Sequence, residues 1–363
     1  MNIQHLVGLP IEQIPTPALL VDFDSLIRNI ERMRTDMAKL KTSVRPHGKT
    51  HKTPAIAHLQ MQAGAIGLCC ATVGEAEVMA SAGIDNILVA NEMVGEVAIR
   101  RTVNLARHAK IIVPVDDVRN IRELSAAAQQ YSTPLDILLD FDVGLGRCGA
   151  RSLDQLVDLA KAVEQTPGLR LRGVFGYEGQ VQFIPDRDQR TKQGHAANQL
   201  LTDAAKVLCG MGFNMEIVSG GGTGTYDIAG GFPGITEIEP GSYVFMDGTY
   251  NKLGLPFEQS LTVLSTVVSR PTDDLIVLDA GSKGISPERF NPSVRGYEET
   301  IEVKKLAEEH AIGNLRASID PCPGDKLHLI PSHCCGTVNL YDYMYVTRNG
   351  IVEAIWPIAA RRA

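Results

Sequence analysis

Short apolar runs alternate with amphipathic stretches through the first two thirds of the chain. The runs Ser43–Gly48, Ala65–Ala71, Asn86–Ala90, Lys110–Val115 and Leu135–Phe141 read as strands, followed by Leu171–Tyr177, Met215–Ser219 and Ser242–Met246. Between them lie segments of helical period: Phe23–Leu40, with Leu26, Ile30 and Met33 on one face, Thr53–Ala63, Val73–Ala82, Val94–His108, Val118–Gln130, Leu153–Glu164 and Thr191–Gly210. Gly64, Gly83 and Gly210 stand where helices should end. Regular alternation of strand and helix implies a parallel sheet, and eight such units in about 230 residues predict a (β/α)8 barrel. An open, doubly wound sheet would use similar strands and is the alternative.

The pattern changes after about Gly248. Leu261–Ser269, Leu275–Asp279, Lys326–Ile330 and Tyr343–Val346 are β-rich runs separated by Pro, Gly and Asn, and helical period nearly vanishes. The expected organisation is a barrel over residues 16–250 and an all-β domain over residues 251–363, with residues 1–15 free to pack on the latter. Thr16–Val21, a strand-like run ahead of the first helix, is expected to pair with the β domain.

Composition narrows the function. A hydrophobic content of 44% in 363 residues fits a folded enzyme, and the formal net charge of −7 argues against nucleic acid or an anionic membrane as partner. No apolar run reaches the length of a membrane span, and residues 1–10 lack a signal-peptide pattern. Seven cysteines, an odd number without framework spacing, predict a reduced, cytoplasmic protein.

The chemistry gathers where a barrel would put it, after the strand ends. Lys49 sits in Val44-Arg-Pro-His-Gly-Lys-Thr-His-Lys52, where alternation places Arg45, His47 and Lys49 on one face. Neighbouring cations and burial both favour the neutral amine that Schiff-base chemistry requires. A solvated basic loop is the plainer alternative, but it leaves Pro46, Gly48 and the histidines unexplained. Ser219-Gly-Gly-Gly-Thr-Gly-Thr225 resembles a phosphate cradle, with backbone N–H groups and the hydroxyls of Thr223 and Thr225 as donors. A plain glycine turn is the competing reading. Lysine plus phosphate cradle points to pyridoxal phosphate. Arg147, in Asp140-Phe-Asp-Val-Gly-Leu-Gly-Arg-Cys-Gly149, would lie near the ring or pair with Asp140 or Asp142. In Pro331-Ser-His-Cys-Cys-Gly336 an extended chain would turn His333 and Cys335 to one face and Cys334 away. Imidazole plus thiolate is half a zinc site, open to water and substrate, although buried cysteines are more often packing residues.

Together these stretches resemble one family. Arg45-Pro-His-Gly-Lys-Thr-His-Lys52, Gly67-Leu-Cys-Cys70, Asn91-Glu92, Asp142-Val-Gly-Leu-Gly-Arg-Cys-Gly149, Val218-Ser-Gly-Gly-Gly-Thr-Gly-Thr225 and Pro240-Gly-Ser-Tyr-Val-Phe-Met-Asp247 are similar to D-threonine aldolases, 3-hydroxy-D-aspartate aldolases and D-serine dehydratases. So are Val277-Leu-Asp-Ala-Gly281, Glu309-His310, Pro331-Ser-His333 and Thr337-Val-Asn339. The resemblance implies an alanine-racemase-like fold, pyridoxal phosphate on Lys49, and a divalent metal held by His333 and Cys335. It further implies cofactor contacts from Arg147, Tyr177, Gly221, Gly222, Thr223 and Tyr243. Two departures stand out. Cys335 replaces the aspartate usual in the aldolases; it resembles the dehydratases and favours zinc, with manganese and magnesium as alternatives. Phe183 stands where the aldolases carry a histidine that takes the β-hydroxyl proton.

The expected activity is cleavage of Cα–Cβ in a β-hydroxy-D-amino acid to glycine and an aldehyde, by a homodimer. The alternatives are β-elimination to a keto acid and ammonia, racemisation, and a cofactor carrier without turnover.

Overall fold

The structure is a computed structural model and describes residues 3–316, 321–361 and 363. It divides into two compact units, one of Met33–Lys49, Pro54–Gly241 and Arg362–Ala363, the other of Met1–Arg32, Thr50–Thr53 and Ser242–Arg361.

The chain opens with strand β1 (Ala18–Asp22) and helix α1 (Phe23–Leu40), then enters the barrel unit. There follow β2 (Ser43–Val44), α2 (Pro54–Gln62), β3 (Leu68–Cys70), α3 (Val73–Ser81), β4 (Ile87–Val89), α4 (Glu96–Leu105), β5 (Ile111–Val115) and α5 (Val118–Gln130). The unit continues with β6 (Leu135–Asp140), α6 (Leu153–Glu164), β7 (Leu169–Phe175), α7 (Arg187–Gly210), β8 (Ile217–Gly220), α8 (Tyr226–Gly230) and β9 (Glu237–Ile238).

The eight strands run in the order β2-β9-β8-β7-β6-β5-β4-β3, every pairing parallel. A parallel bridge between His47 and Cys69 joins the two ends, so the sheet closes into a barrel and the open-sheet alternative falls away. Strands β5 and β6 are buried at every position, the mark of a sheet covered on both faces. Cys69, Leu88, Ile112, Leu138, Phe175 and Ile217, one from each of β3 to β8, pack as an interior layer. Side chains cap the outer helices: Thr72, Asp117, Ser152 and Asp186 each accept a backbone N–H in the first turn of α3, α5, α6 and α7.

Three expectations need correction here. The eighth strand is Glu237–Ile238, and Ser242–Met246 instead opens with a 3-10 turn, Ser242–Val244. Regular strand geometry in the first run ends at Val44 because Pro46 has no N–H to donate; hydrogen bonding persists as single contacts, Arg45 N–H to Ile238 O and His47 N–H to Pro240 O. Gly210 is the last helical residue of α7, and Gly212 (φ +94°) adopts the left-handed conformation that ends it. Gly64 and Gly83 do have positive φ, +96° and +85°.

The second unit is β-rich. To β1 it adds β10 (Leu261–Thr272), β11 (Leu275–Leu278), β12 (Ser293–Val294), β13 (Ile301–Leu306), β14 (Ala311–Leu315), β15 (Lys326–Ile330), β16 (Tyr343–Arg348) and β17 (Ile351–Pro357), with helix α9 (Cys334–Val338) after β15. The sheet order is β13-β14-β11-β10-β1-β16-β17, with β15 also on β10 and β12 on β15. Strand β1 pairs antiparallel with β10 and parallel with β16. Leu6 and Ile14 join Ala18, Leu20, Leu264, Tyr345 and Val352 in its core.

Candidate active site

At the C-terminal end of the barrel, Lys49 lies half-buried in a 3-10 turn, Gly48–Thr50, immediately after the His47–Cys69 bridge. Its N–H faces His47 Nδ1 at 3.4 Å. Beneath it is a buried polar network. Arg45 pairs with Glu237, the Ser219 hydroxyl lies within hydrogen-bond reach of both Glu237 (3.0 Å) and Glu239 (2.6 Å), and the Cys69 thiol donates to Glu239 at 3.1 Å. Burial raises the Glu239 carboxyl to about 7 against the hydrogen bonds from Ser219 and Cys69.

Arg147 and Tyr177, from the loops after β6 and β7, do meet: the guanidinium carbon stands 5.8 Å from the ring centroid. The proposed pairing of Arg147 with Asp142 does not form, because Arg151 takes that carboxylate. Asp140 turns toward Glu92, and Arg147 acts on it only through its charge. Burial, then the hydrogen bond that protonated Asp140 donates to Glu92, raises Asp140 to about 9. Glu92, Asp116 and Cys148 converge beside it at the ends of β4 to β6. Burial and Glu92 raise the Cys148 thiol to about 11. Of this group Asp140, Cys148 and Glu92 fell in stretches that the sequence singled out, and Asp116 did not.

The glycine loop after β8 is tightly held. Gly221 (φ +77°) donates its N–H to Glu178 at 3.0 Å, Gly222 to Thr225 Oγ1 at 3.2 Å, and Gly224 to Gln182 Oε1 at 2.9 Å. The Thr225 hydroxyl donates to Glu178, so it braces the loop rather than facing an anion. Gln182 Nε2 donates to Thr225 at 2.8 Å. A Cβ at Gly224 would lie 2.0 Å from the Gln182 carbonyl, which is why glycine is needed there. Thr223, 1% exposed, opens the turn Thr223–Thr225. Glu178, fully buried, is raised by desolvation and held back by its donors. Its role was not legible in Tyr177-Glu-Gly-Gln180, since its partners are 43 and 47 residues away.

Tyr243, His333 and Cys335 belong to the other unit. Tyr243 is 2% exposed, with its ring 5.6 Å from that of Phe257. His333 has extended backbone and caps α9, so Cys334 and Cys335 are helical. The expectation that an extended chain would align His333 with Cys335 is therefore corrected. The two side chains nonetheless interact, while Cys334 is fully buried. The Cys335 thiol donates to Thr50 Oγ1 at 3.5 Å. His333 Nδ1 lies 2.9 Å from Asp247 Oδ2. Burial lowers the His333 imidazole, but the Cys335 charge and the Asp247 carboxylate outweigh it and raise it to about 10.

The residues fit both groups that the resemblance implies. The barrel end offers an amine, an arginine–tyrosine pair and a glycine turn. The other unit offers a soft sulfur donor beside an imidazole whose second nitrogen is anchored on a carboxylate, as metal-binding histidines commonly are.

Comparisons with known proteins agree with this architecture. Residues 21–248 match the alanine racemase N-terminal domain, and residues 260–347 match a serine dehydratase domain. A D-threonine aldolase from Arthrobacter sp is 37% identical over 98% of this chain and 94% of its own. A 3-hydroxy-D-aspartate aldolase from Paracoccus denitrificans is 37% identical over 99% of this chain and 95% of its own. The crystal structure of D-threonine aldolase from Filomicrobium marinum superposes with a TM-score of 0.96 at 35% identity, over 98% of each chain. With its residues 21–248 on the racemase domain and these relatives matched almost end to end, the chain belongs to the alanine-racemase-fold family of D-threonine and 3-hydroxy-D-aspartate aldolases.

Proposed function

We propose that this protein is a pyridoxal-phosphate-dependent lyase that cleaves Cα–Cβ of a β-hydroxy-D-amino acid, releasing glycine and an aldehyde. The observation that carries the reading is the near full-length match to two aldolases of that substrate class, in a family that depends on pyridoxal phosphate. In this reading the unit of Met33–Lys49 and Pro54–Gly241, shorter at both ends than the expected 16–250, is the cofactor-binding domain, and the β-rich unit, which also takes residues 16–32 and begins again at Ser242, carries the metal ligands. Lys49 is the covalent attachment point. Arg147 and Tyr177 would hold the ring, Thr223 with the Gly221–Gly222 turn would hold the phosphate, and Tyr243 would add a further contact. When bound, the cofactor supplies an electron sink for the bond broken at Cα. A divalent ion at His333 and Cys335, zinc by the softness of the thiolate, would polarise the substrate hydroxyl.

This chain's own groups do the rest. Lys49 would hold the cofactor and, as a free amine, would give or take the proton at the α-carbon. Arg147, exposed at the rim, keeps a cation at the barrel mouth. Phe183, half-buried, leaves no imidazole at the position where aldolases take the β-hydroxyl proton. That absence, with Cys335, favours the second reading, β-elimination to a keto acid and ammonia. A homodimer in the cytoplasm remains part of the proposal. No disulfide joins any of the seven cysteines, and no described helix is long and apolar enough to cross a membrane.

The test is one assay. The protein is incubated with D-threonine, D-serine and 3-hydroxy-D-aspartate, and products are scored separately as aldehyde plus glycine or keto acid plus ammonia. Aldehyde from D-threonine supports the aldolase. Pyruvate from D-serine with no aldehyde from D-threonine replaces it with the dehydratase.

A further inference from the structure

Asp247 is completely buried, and four hydrogen-bond donors converge on it. Its Oδ1 accepts the backbone N–H groups of Thr249 (3.0 Å) and Tyr250 (2.9 Å). Its Oδ2 accepts the N–H of Cys334 at 2.9 Å and lies 2.9 Å from His333 Nδ1. Around this side chain two segments are stitched together: Gly248 N–H bonds to Pro331 O at 2.9 Å, and the Thr249 hydroxyl to Ser332 O at 2.6 Å. The carboxylate is thus fixed by backbone donors that cannot rotate away, and His333 meets an acceptor held still.

That arrangement has a chemical consequence for the imidazole. Every other group around Asp247 donates to it, so the His333 contact is also a donation, from Nδ1–H. A neutral imidazole with its proton on Nδ1 keeps its lone pair on Nε2. Nδ1 being committed, Nε2 is the nitrogen left on the ring to face Cys335, with which His333 also interacts. A rival arrangement is close at hand, since ligand atoms of Asp247, His333 and Cys334 lie within 4.8 Å of one another. It would require Asp247 to exchange backbone donors for an ion, and Cys334, 0% exposed, to take part with its sulfur.

Resting on the metal reading proposed above, we infer that Asp247 is a positioning residue: by accepting the Nδ1 proton of His333 it sets the tautomer and orientation that present Nε2, together with Cys335, to a divalent ion. Asp247 is not itself a ligand, and neither is Cys334. Partners of this kind typically contribute 10- to 100-fold, roughly, to metal affinity.

The test reads metal binding, not turnover. Chelator-treated full-length protein is titrated with Co²⁺, and the thiolate-to-cobalt charge-transfer absorption is followed. The wild type and Cys334→Ser are expected to develop the band, and Cys335→Ser to lose it. Asp247→Asn, whose amide can donate to Nδ1 and so shift the proton to Nε2, is expected to bind about 10–100-fold more weakly while reaching the same band at saturation. Unchanged affinity in Asp247→Asn overturns the inference. So does an altered saturated spectrum, which would make Asp247 a ligand, or a band that depends on Cys334. Each of these leaves the metal reading standing. A wild type that takes up no Co²⁺ overturns the metal reading and this inference with it. Should Asp247→Asn fail to fold, the wild type decides: in ¹⁵N-histidine-labelled, Zn²⁺-loaded protein, His333 is expected to carry its proton on Nδ1. A proton on Nε2 overturns the inference.

Discussion

Arg45 and Glu237 lie side by side inside the barrel, Nε to Oε1 at 2.8 Å and Nη2 to Oε2 at 3.0 Å, with exposures of 1% and 3%. The same guanidinium donates to the carbonyl of Asn86 at 2.6 Å. Removing one member of such a pair leaves the other charged and dry. Arg45→Met should therefore cost about 3–5 kcal/mol in urea unfolding, and the double variant Arg45→Met/Glu237→Leu should recover much of it. Equal losses in the single and double variants would show that the pair contributes no more than its packing.

Lys49 should carry pyridoxal phosphate covalently. Borohydride treatment of the loaded protein is expected to fix one adduct per chain, visible by intact mass, and Lys49→Ala should show none. An adduct that persists in Lys49→Ala would move the attachment point elsewhere.

Glu178 and Gln182 brace the glycine loop from beneath. Glu178→Ala strips the acceptor from the Gly221 N–H and the Thr225 hydroxyl, both buried, at a cost on the order of 1–3 kcal/mol in stability. Pyridoxal phosphate should bind about tenfold more weakly by equilibrium dialysis, a loss of roughly 1.4 kcal/mol, while pyridoxal, lacking the phosphate, should lose little. Equal weakening for both ligands would assign Glu178 a general packing role.

Asp140 supplies a pH signature. Its folded value, raised by burial and Glu92 to about 9, lies above its ordinary value of 3.8. The folded state therefore binds the extra proton between those values. The group's stabilising contribution is complete at low pH and is lost as pH rises toward 9. Asp140→Asn cannot lose that proton. Between pH 6 and pH 9 the wild type should lose more stability in urea than the variant, by about 1.4 kcal/mol or more, the worth of one pKa unit. Parallel pH profiles would refute the shift.

What could be read from the sequence follows a physical line. Leu135–Asp140 and Val118–Gln130 were legible because one apolar run or one helical stripe reports a single local environment. Glu237–Ile238 was not: two residues carry no period, and a buried glutamate makes sense only once Arg45 is beside it. Strand β13 escaped because a register shift between Val303 and Lys305 breaks its alternation. At the candidate site, Lys49 was singled out by residue type and place, and His333 and Cys335 by spacing, with their metal role implied only by the resemblance. Glu178, Gln182 and Asp247 were not assigned roles, because their work is to hold backbone amides and other side chains, which leaves no local motif.

The seam of the barrel bears on how the molecule comes together. Strands β2 and β9, two residues each, pair over only two positions, and Arg45 and Glu237 are 192 residues apart in the chain. By the chain-entropy rule, closing a loop of that length costs roughly 4–5 kcal/mol, against about 2.5 kcal/mol for a neighbouring unit of some 20 residues. Two ladder residues repay little of that difference. During folding the staves from β3 to β8 can therefore assemble first, by short-range steps, and the ring is fastened last by a clasp of ions rather than by a run of backbone bonds.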